Sequence, residues 1–164
     1  MTDIKTPEER SRNMAAIKSN DTRPEMLVRR YLHRSGYRYG LHNKRLPGRP
    51  DIVLRRYKTV IFVNGCFWHG HENCRYFRLP KSNSDFWQLK IGRNQARDKR
   101  DIEELEKLGW QVIVIWECEL KTEVRRKQTY NGLLEKLNTT YLQTDCNFTT
   151  AAEPETPYSL DKTF

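Results

Sequence analysis

Nowhere is this sequence apolar for more than five consecutive residues, Val112–Trp116. A helical bilayer crossing needs ~18–20 such residues, so no membrane span is expected. The opening stretch, Met1–Met14, has no apolar segment of the kind that directs export, and a cytoplasmic protein is expected. Cysteine is scarce: Cys66, Cys74, Cys118 and Cys146 are the only four. Without an export segment they read as thiols or metal ligands, not disulfides. No internal repeat is visible.

Acid is also in short supply. Lys and Arg number 30 against 21 Asp and Glu, a net charge of +9. That surplus favours a polyanionic partner, most often nucleic acid, because each phosphate neutralised releases counterions. A solvated basic surface is the plainer alternative. Hydrophobic residues make up 37% of the chain and aromatics 11%, enough for a small, strongly segregated core. The length of 164 residues suits one domain, residues 1–144, followed by a tail over 145–164 that carries four acids and one Lys.

Two capping-box words open the chain, Thr6-Pro7-Glu8-Glu9 and Thr22-Arg23-Pro24-Glu25, and each predicts a helix. The second continues with Leu27, Val28, Tyr31 and Leu32 at helical spacing and stops at Gly36. From Tyr37 the period becomes that of strands. Ile52–Leu54 and Thr59–Val63 flank the polar turn Arg55–Lys58 and predict a hairpin. Ser84 or Asp85 is expected to cap a helix reaching Leu108, with Ile91, Ile102, Leu105 and Leu108 inward and Gly109 ending it. Trp110–Trp116 reads as a strand buried on both faces. A last helix is expected from Thr122 to Tyr141. This order predicts an α/β fold, a central mixed β-sheet flanked by helices.

Cys66 and Cys118 each lie six residues after the first Val of a buried strand, Val60 and Val112. If those strands are neighbours in register, both thiols reach the same end of the sheet. His71 and Cys74 follow Cys66 closely, completing a Cys3His set of the type that closes around structural zinc. Three reduced cysteines and a surface His are the alternative. Asp51 begins a strand and is expected opposite about Phe62, facing the Asn64–His69 loop. An acid there is often only a turn residue, but beside His69 it can also form a metal–carboxylate site with a base. Glu25 is a third candidate, although capping accounts for it. His33 and His42 belong to no evident constellation. Phe67, Trp68, Phe86 and Trp87 lie in polar surroundings, as local core or as a wedge between base pairs. The helix after Trp87 carries Lys90, Arg93, Arg97, Lys99 and Arg100, a stripe for phosphates or a solvated face.

These words together resemble the very-short-patch repair (Vsr) mismatch endonucleases of the PD-(D/E)xK superfamily. The resemblance runs through Arg12–Ile17, Leu46–Asp51, Val60–His69, Asp85–Trp87, Ile91–Asn94, Arg97-Asp98 and Leu108–Cys118, roughly residues 10–140. It implies a restriction-endonuclease-like fold with a structural Zn²⁺ at Cys66, His71, Cys74 and Cys118. It implies a Mg²⁺-dependent enzyme that nicks duplex DNA 5′ to the T of a T:G mismatch left by deamination of 5-methylcytosine. Asp51 then resembles the Mg²⁺ ligand, His69 the general base, and Glu25 an acid ordering water. Phe67, Trp68 and Trp87 resemble a wedge from the major groove, with Lys90, Arg93 and Asn94 beside it. Met14 and Ile17 resemble a contact from the minor groove. Asn64 stands where the family word carries His, and Val63-Asn64-Gly65 lacks the superfamily's Glu-x-Lys. A monomer near the nucleoid, coupled to mismatch-repair proteins, completes what the resemblance implies. Restriction-like cleavage of a matched site, or a catalytically weak zinc-stabilised DNA-binding protein, are the alternatives.

Overall fold

The computed structural model describes residues 20–148, together with Thr6, Glu8, Glu9 and Arg12. At the first capping box both halves form: the Thr6 N–H donates to Glu9 Oε2 at 3.1 Å and the Glu9 N–H to Thr6 Oγ1 at 3.2 Å. Helix α1 (Arg23–Arg34) starts on Thr22, whose Oγ1 accepts from the Glu25 N–H, with Pro24 in the first turn. Three strands follow: β1 (Gly40–Leu41), β2 (Ile52–Leu54) and β3 (Thr59–Asn64). Helix α2 (Ser84–Lys107), strand β4 (Gln111–Trp116) and helix α3 (Glu123–Phe148) complete the described chain.

The sheet order is β1-β2-β3-β4, antiparallel except for the parallel β3–β4 pair. This is the expected mixed sheet, and the hairpin pairs Ile52 with Ile61, as its polar turn required. Strand alternation sends alternate side chains to opposite faces. On one face Ile52, Leu54, Ile61, Ile113 and Ile115 pack with Val28 and Leu32 of α1 and Leu133 and Leu137 of α3. On the other, Val53 and Val60 meet Leu105 of α2, with Phe62, Trp110 and Val112 around them. Among the described residues no helix is long and apolar enough to cross a membrane.

Three local expectations are corrected. Leu108 is 55% exposed instead of inward. The Gly109 and Trp110 N–H groups donate to the Glu106 and Leu105 carbonyls, a Schellman turn that needs Gly109 at φ +75°. That turn carries Trp110, not Leu108, back against Leu105. Neither Ser84 nor Asp85 caps α2; Asn83 precedes it in the left-handed region, and its side chain makes no cap bond. Strand β4 is not buried on both faces. Ile113 and Ile115 are buried while Val112 and Val114 are half-buried, because β4 pairs only with β3 among the described strands. Thr122 starts the last helix as expected, its Oγ1 accepting from the Arg125 N–H, and the helix runs past Tyr141 to Phe148.

Candidate active site and metal centre

The hairpin register brings Asp51 beside the end of β3, as its placement opposite Phe62 required. Its Oδ2 accepts the Val63 N–H at 2.7 Å, which leaves Oδ1 outside that bond, and Asp51 lines a cleft of about 800 Å³. Asn64, His69, Lys90, Arg97 and Asp98 line the same cleft. Burial pushes the Asp51 carboxyl above its ordinary 3.8; the Val63 hydrogen bond opposes this, Glu25 adds to it, and His42 and His69 pull it down. A carboxylate made unfavourable by burial gains the more from a nearby cation.

His69 sits on a tight turn after β3, its N–H bonded to the Gly65 carbonyl at 3.2 Å. Its Nδ1 lies 2.5 Å from Asp98 Oδ2 on α2. Burial alone would raise Asp98, but the hydrogen bond and charge of His69, with Arg97, hold it below 3.8. A depressed folded-state value stabilises the protein above 3.8 and loses that contribution as pH falls through the lower folded value. Asp98→Asn is therefore expected to flatten the acid side of a melting-temperature profile below about pH 5. An equally steep profile in the variant would remove Asp98 as the source.

Glu25 is buried on α1, its side chain 2% exposed. Unlike Glu9, it turns away from its cap toward Arg29 Nη1 at 3.3 Å and His42 Nε2 at 3.2 Å. Capping thus accounts for its backbone and not for its carboxylate. His42, which sequence reasoning left without partners, stands between Glu25 and Asp51. Asp98 was equally missed as a partner. Its signals were the Arg97-Asp98 word of the family resemblance and helical spacing, since Lys90, Asn94, Arg97, Asp98 and Asp101 lie on one side of α2.

Phe67, Trp68 and Trp87 form one edge-to-face cluster, with ring centroids 5.1, 5.2 and 6.0 Å apart. Lys90 Nζ lies 5.5 Å from the Trp87 ring and 5.7 Å from the Trp68 ring. The Asn94 amide donates to the Trp68 carbonyl at 2.8 Å, so it holds this loop in place. Gly70, at φ +59°, packs so tightly that a Cβ would meet Gln95 Nε2 at 2.6 Å. Arg93 faces elsewhere, beside Asp85, Leu89 and Gly92 on another side of α2. Met14 and Ile17 lie outside the described residues.

The parallel register pairs Val60 with Val112, so Cys66 and Cys118 do arrive at the same end of the sheet. Ligand atoms of Cys66, His71, Cys74 and Cys118 all lie within 4.8 Å of one another. Cys118 Sγ is 3.5 Å from His71 Nδ1, whose ring stacks on Trp116 at 4.0 Å. A tetrahedral ion with sulfur at ~2.3 Å and nitrogen at ~2.0–2.1 Å separates such ligands by about 3.5 Å. The residues therefore fit a closed metal site. Burial pushes the Cys66 thiol up to about 12, while Cys74, close to backbone N–H groups and its partner thiols, is lowered.

Residues 2–75 match the family model described as DNA mismatch endonuclease Vsr. The type II nicking enzyme V.NmeAIP of Neisseria meningitidis is 50% identical over 137 residues, covering 84% of this chain and 97% of the relative. The DNA mismatch endonuclease Vsr of Escherichia coli is 43% identical over 137 residues, covering 84% and 86%. The chain belongs to the Vsr family of DNA mismatch endonucleases. Vsr proteins are PD-(D/E)xK-type nucleases, and this member is a DNA endonuclease, a hydrolase of phosphodiester bonds. A second nicking relative, V.XorIIP of Xanthomonas oryzae, is 52% identical over 120 residues, covering 73% and 88%. In this Vsr chain the cleft, the aromatic cluster and the Cys3His set adjoin one another through the Asn64–Cys74 loop.

Proposed function

We propose that this protein nicks one strand of duplex DNA 5′ to the T of a T:G mismatch, and so opens repair of deaminated 5-methylcytosine. The observation that carries the reading is the convergence, in one cleft, of Asp51 and the His69–Asp98 pair beside the half-buried aromatic cluster.

Asp51 would hold a hard divalent ion, Mg²⁺, which commonly takes only one or two carboxylates from the protein, and Glu25 would order water near it. When bound, that ion neutralises charge developing on the phosphate. Asp98 accepts from Nδ1–H of His69, which leaves the Nε2 lone pair free to take a proton from the attacking water. Asn64 offers an amide to a phosphate oxygen or a water, but no proton transfer. The Cys66, His71, Cys74 and Cys118 set suits Zn²⁺ and takes no part in hydrolysis. It pins the loop that carries His69 and the aromatics.

Phe67, Trp68 and Trp87 suit insertion beside a mispair, since a mismatched step is cheaper to unstack than a paired one. Lys90, over these rings, is suited to the adjoining phosphate. A labelled duplex with one T:G mismatch tests the reading against T:A and C:G duplexes, with Mg²⁺ or with EDTA. A Mg²⁺-dependent nick confined to the T strand of the T:G duplex is the expected result. Cleavage of matched duplex would put a restriction-like substrate in its place. Retained binding without any nick would leave a DNA-binding protein.

A further inference from the structure

His42 stands between Asp51, which lines the cleft, and the buried Glu25. Its Nε2 is 3.2 Å from Glu25 Oε1, and its Nδ1 is 3.9 Å from Asp51 Oδ1. The ring is held there by an uncommon backbone: His42 has φ +45°, and its N–H donates to the Asp51 carbonyl at 3.2 Å. A non-glycine residue in the left-handed region costs free energy, which invites a functional explanation.

His42 Nε2 is buried and lies 3.2 Å from Glu25 Oε1, but the contact is not aligned as a hydrogen bond. His42 Nδ1 lies nearest Asp51 Oδ1, which the Val63 hydrogen bond leaves unengaged because it uses only Oδ2. A cation placed between a ring nitrogen and a carboxylate oxygen would satisfy both. Their separation is within the roughly 4.2 Å span across an octahedral ion with ligands at ~2.1 Å. The other flank of Glu25 offers no such opening. Asp21, Glu25 and His42 could also hold an ion, but the Arg29 guanidinium already bonds to both Asp21 and Glu25 there.

We infer that His42 Nδ1 is a nitrogen ligand for the divalent ion held at Asp51, and that it biases this site toward Mn²⁺ over Mg²⁺. The inference rests on the reading of Asp51 as a ligand of that ion. Imidazole suits transition metals, whereas Mg²⁺ prefers oxygen and water, so one nitrogen donor raises Mn²⁺ affinity selectively.

Mn²⁺ binding to the full-length protein, followed by electron paramagnetic resonance, provides the test. Wild type is expected to show nitrogen coupling in the Mn²⁺ spin-echo spectrum. His42→Gln is expected to lose that coupling and to bind Mn²⁺ roughly tenfold to a hundredfold more weakly, with a smaller change for Mg²⁺. His69→Ala is expected to keep the coupling. This variant identifies the nitrogen even if His42→Gln proves unstable. Absent coupling in wild type, or its loss in His69→Ala, overturns the inference. So does unchanged or tighter Mn²⁺ binding in His42→Gln, which would make His42 an ionic partner competing with the metal. Asp51→Asn separates the two failures. If it leaves Mn²⁺ binding intact, the ion is not at Asp51 and the underlying reading fails. If it abolishes binding while His42→Gln does not weaken it, only the role of His42 fails.

Discussion

Asp51→Asn is expected to lower T:G-directed nicking by about a thousandfold or more while leaving binding of mismatched duplex within about threefold. The first figure follows from losing an ion whose charge stabilisation is worth several kcal/mol, each ~1.4 kcal/mol being tenfold in rate. The second follows from where the substitution acts. Asp51 lines the cleft at the hairpin, while the aromatic cluster and Lys90 stand on the Phe67–Trp68 loop and α2. The amide keeps an oxygen able to accept the Val63 N–H, so the hairpin should stand. Single-turnover nicking and a gel-shift titration on one protein preparation decide it. A variant that nicks within tenfold of wild type would remove Asp51 from the reaction.

The second large effect concerns the Cys66–His71–Cys74–Cys118 set. Removing its metal with a chelator, or substituting Cys118→Ser, is expected to lower the melting temperature by roughly 10–20 °C. This assumes a loss of ~5 kcal/mol and a shift of ~2–4 °C per kcal/mol for a chain of this size. Nicking should disappear with the metal and return when Zn²⁺ is restored, because His69, Phe67 and Trp68 all lie between Cys66 and His71. The site must also expel protons to bind. Burial holds Cys66 as a thiol up to about 12 in the free protein, so metal uptake should release protons and weaken steeply as pH falls. Calorimetry in two buffers of different ionisation enthalpy counts those protons. A metal-free protein that melts with the metal-loaded one would make the set dispensable.

Much of this site could be read along the chain because its signals are local. A polar turn at Arg55–Lys58 between two apolar runs fixes the hairpin, and the hairpin fixes Asp51 beside β3. An equal six-residue offset from Val60 and Val112 becomes a cluster that could hold a metal ion once those residues pair in register. Contacts between distant elements gave no such signal. The partner of His69 lies 29 residues away on α2, where Asp98 is one charge among many. Leu108 looked inward by helical spacing, but the turn at Gly109 gave its place to Trp110. Glu25 carries a capping word identical in form to that of Glu9, and only burial shows that its carboxylate is used elsewhere.

The sequence by itself determined the α/β order, the hairpin, the gathering of the Cys3His set and the candidate base and acid, because turn chemistry, period and spacing act over a few residues. The tertiary structure alone decided which charges meet. His69 joined Asp98 and His42 came between Glu25 and Asp51, since helix crossing over a sheet and one left-handed residue aim side chains in ways no linear spacing encodes.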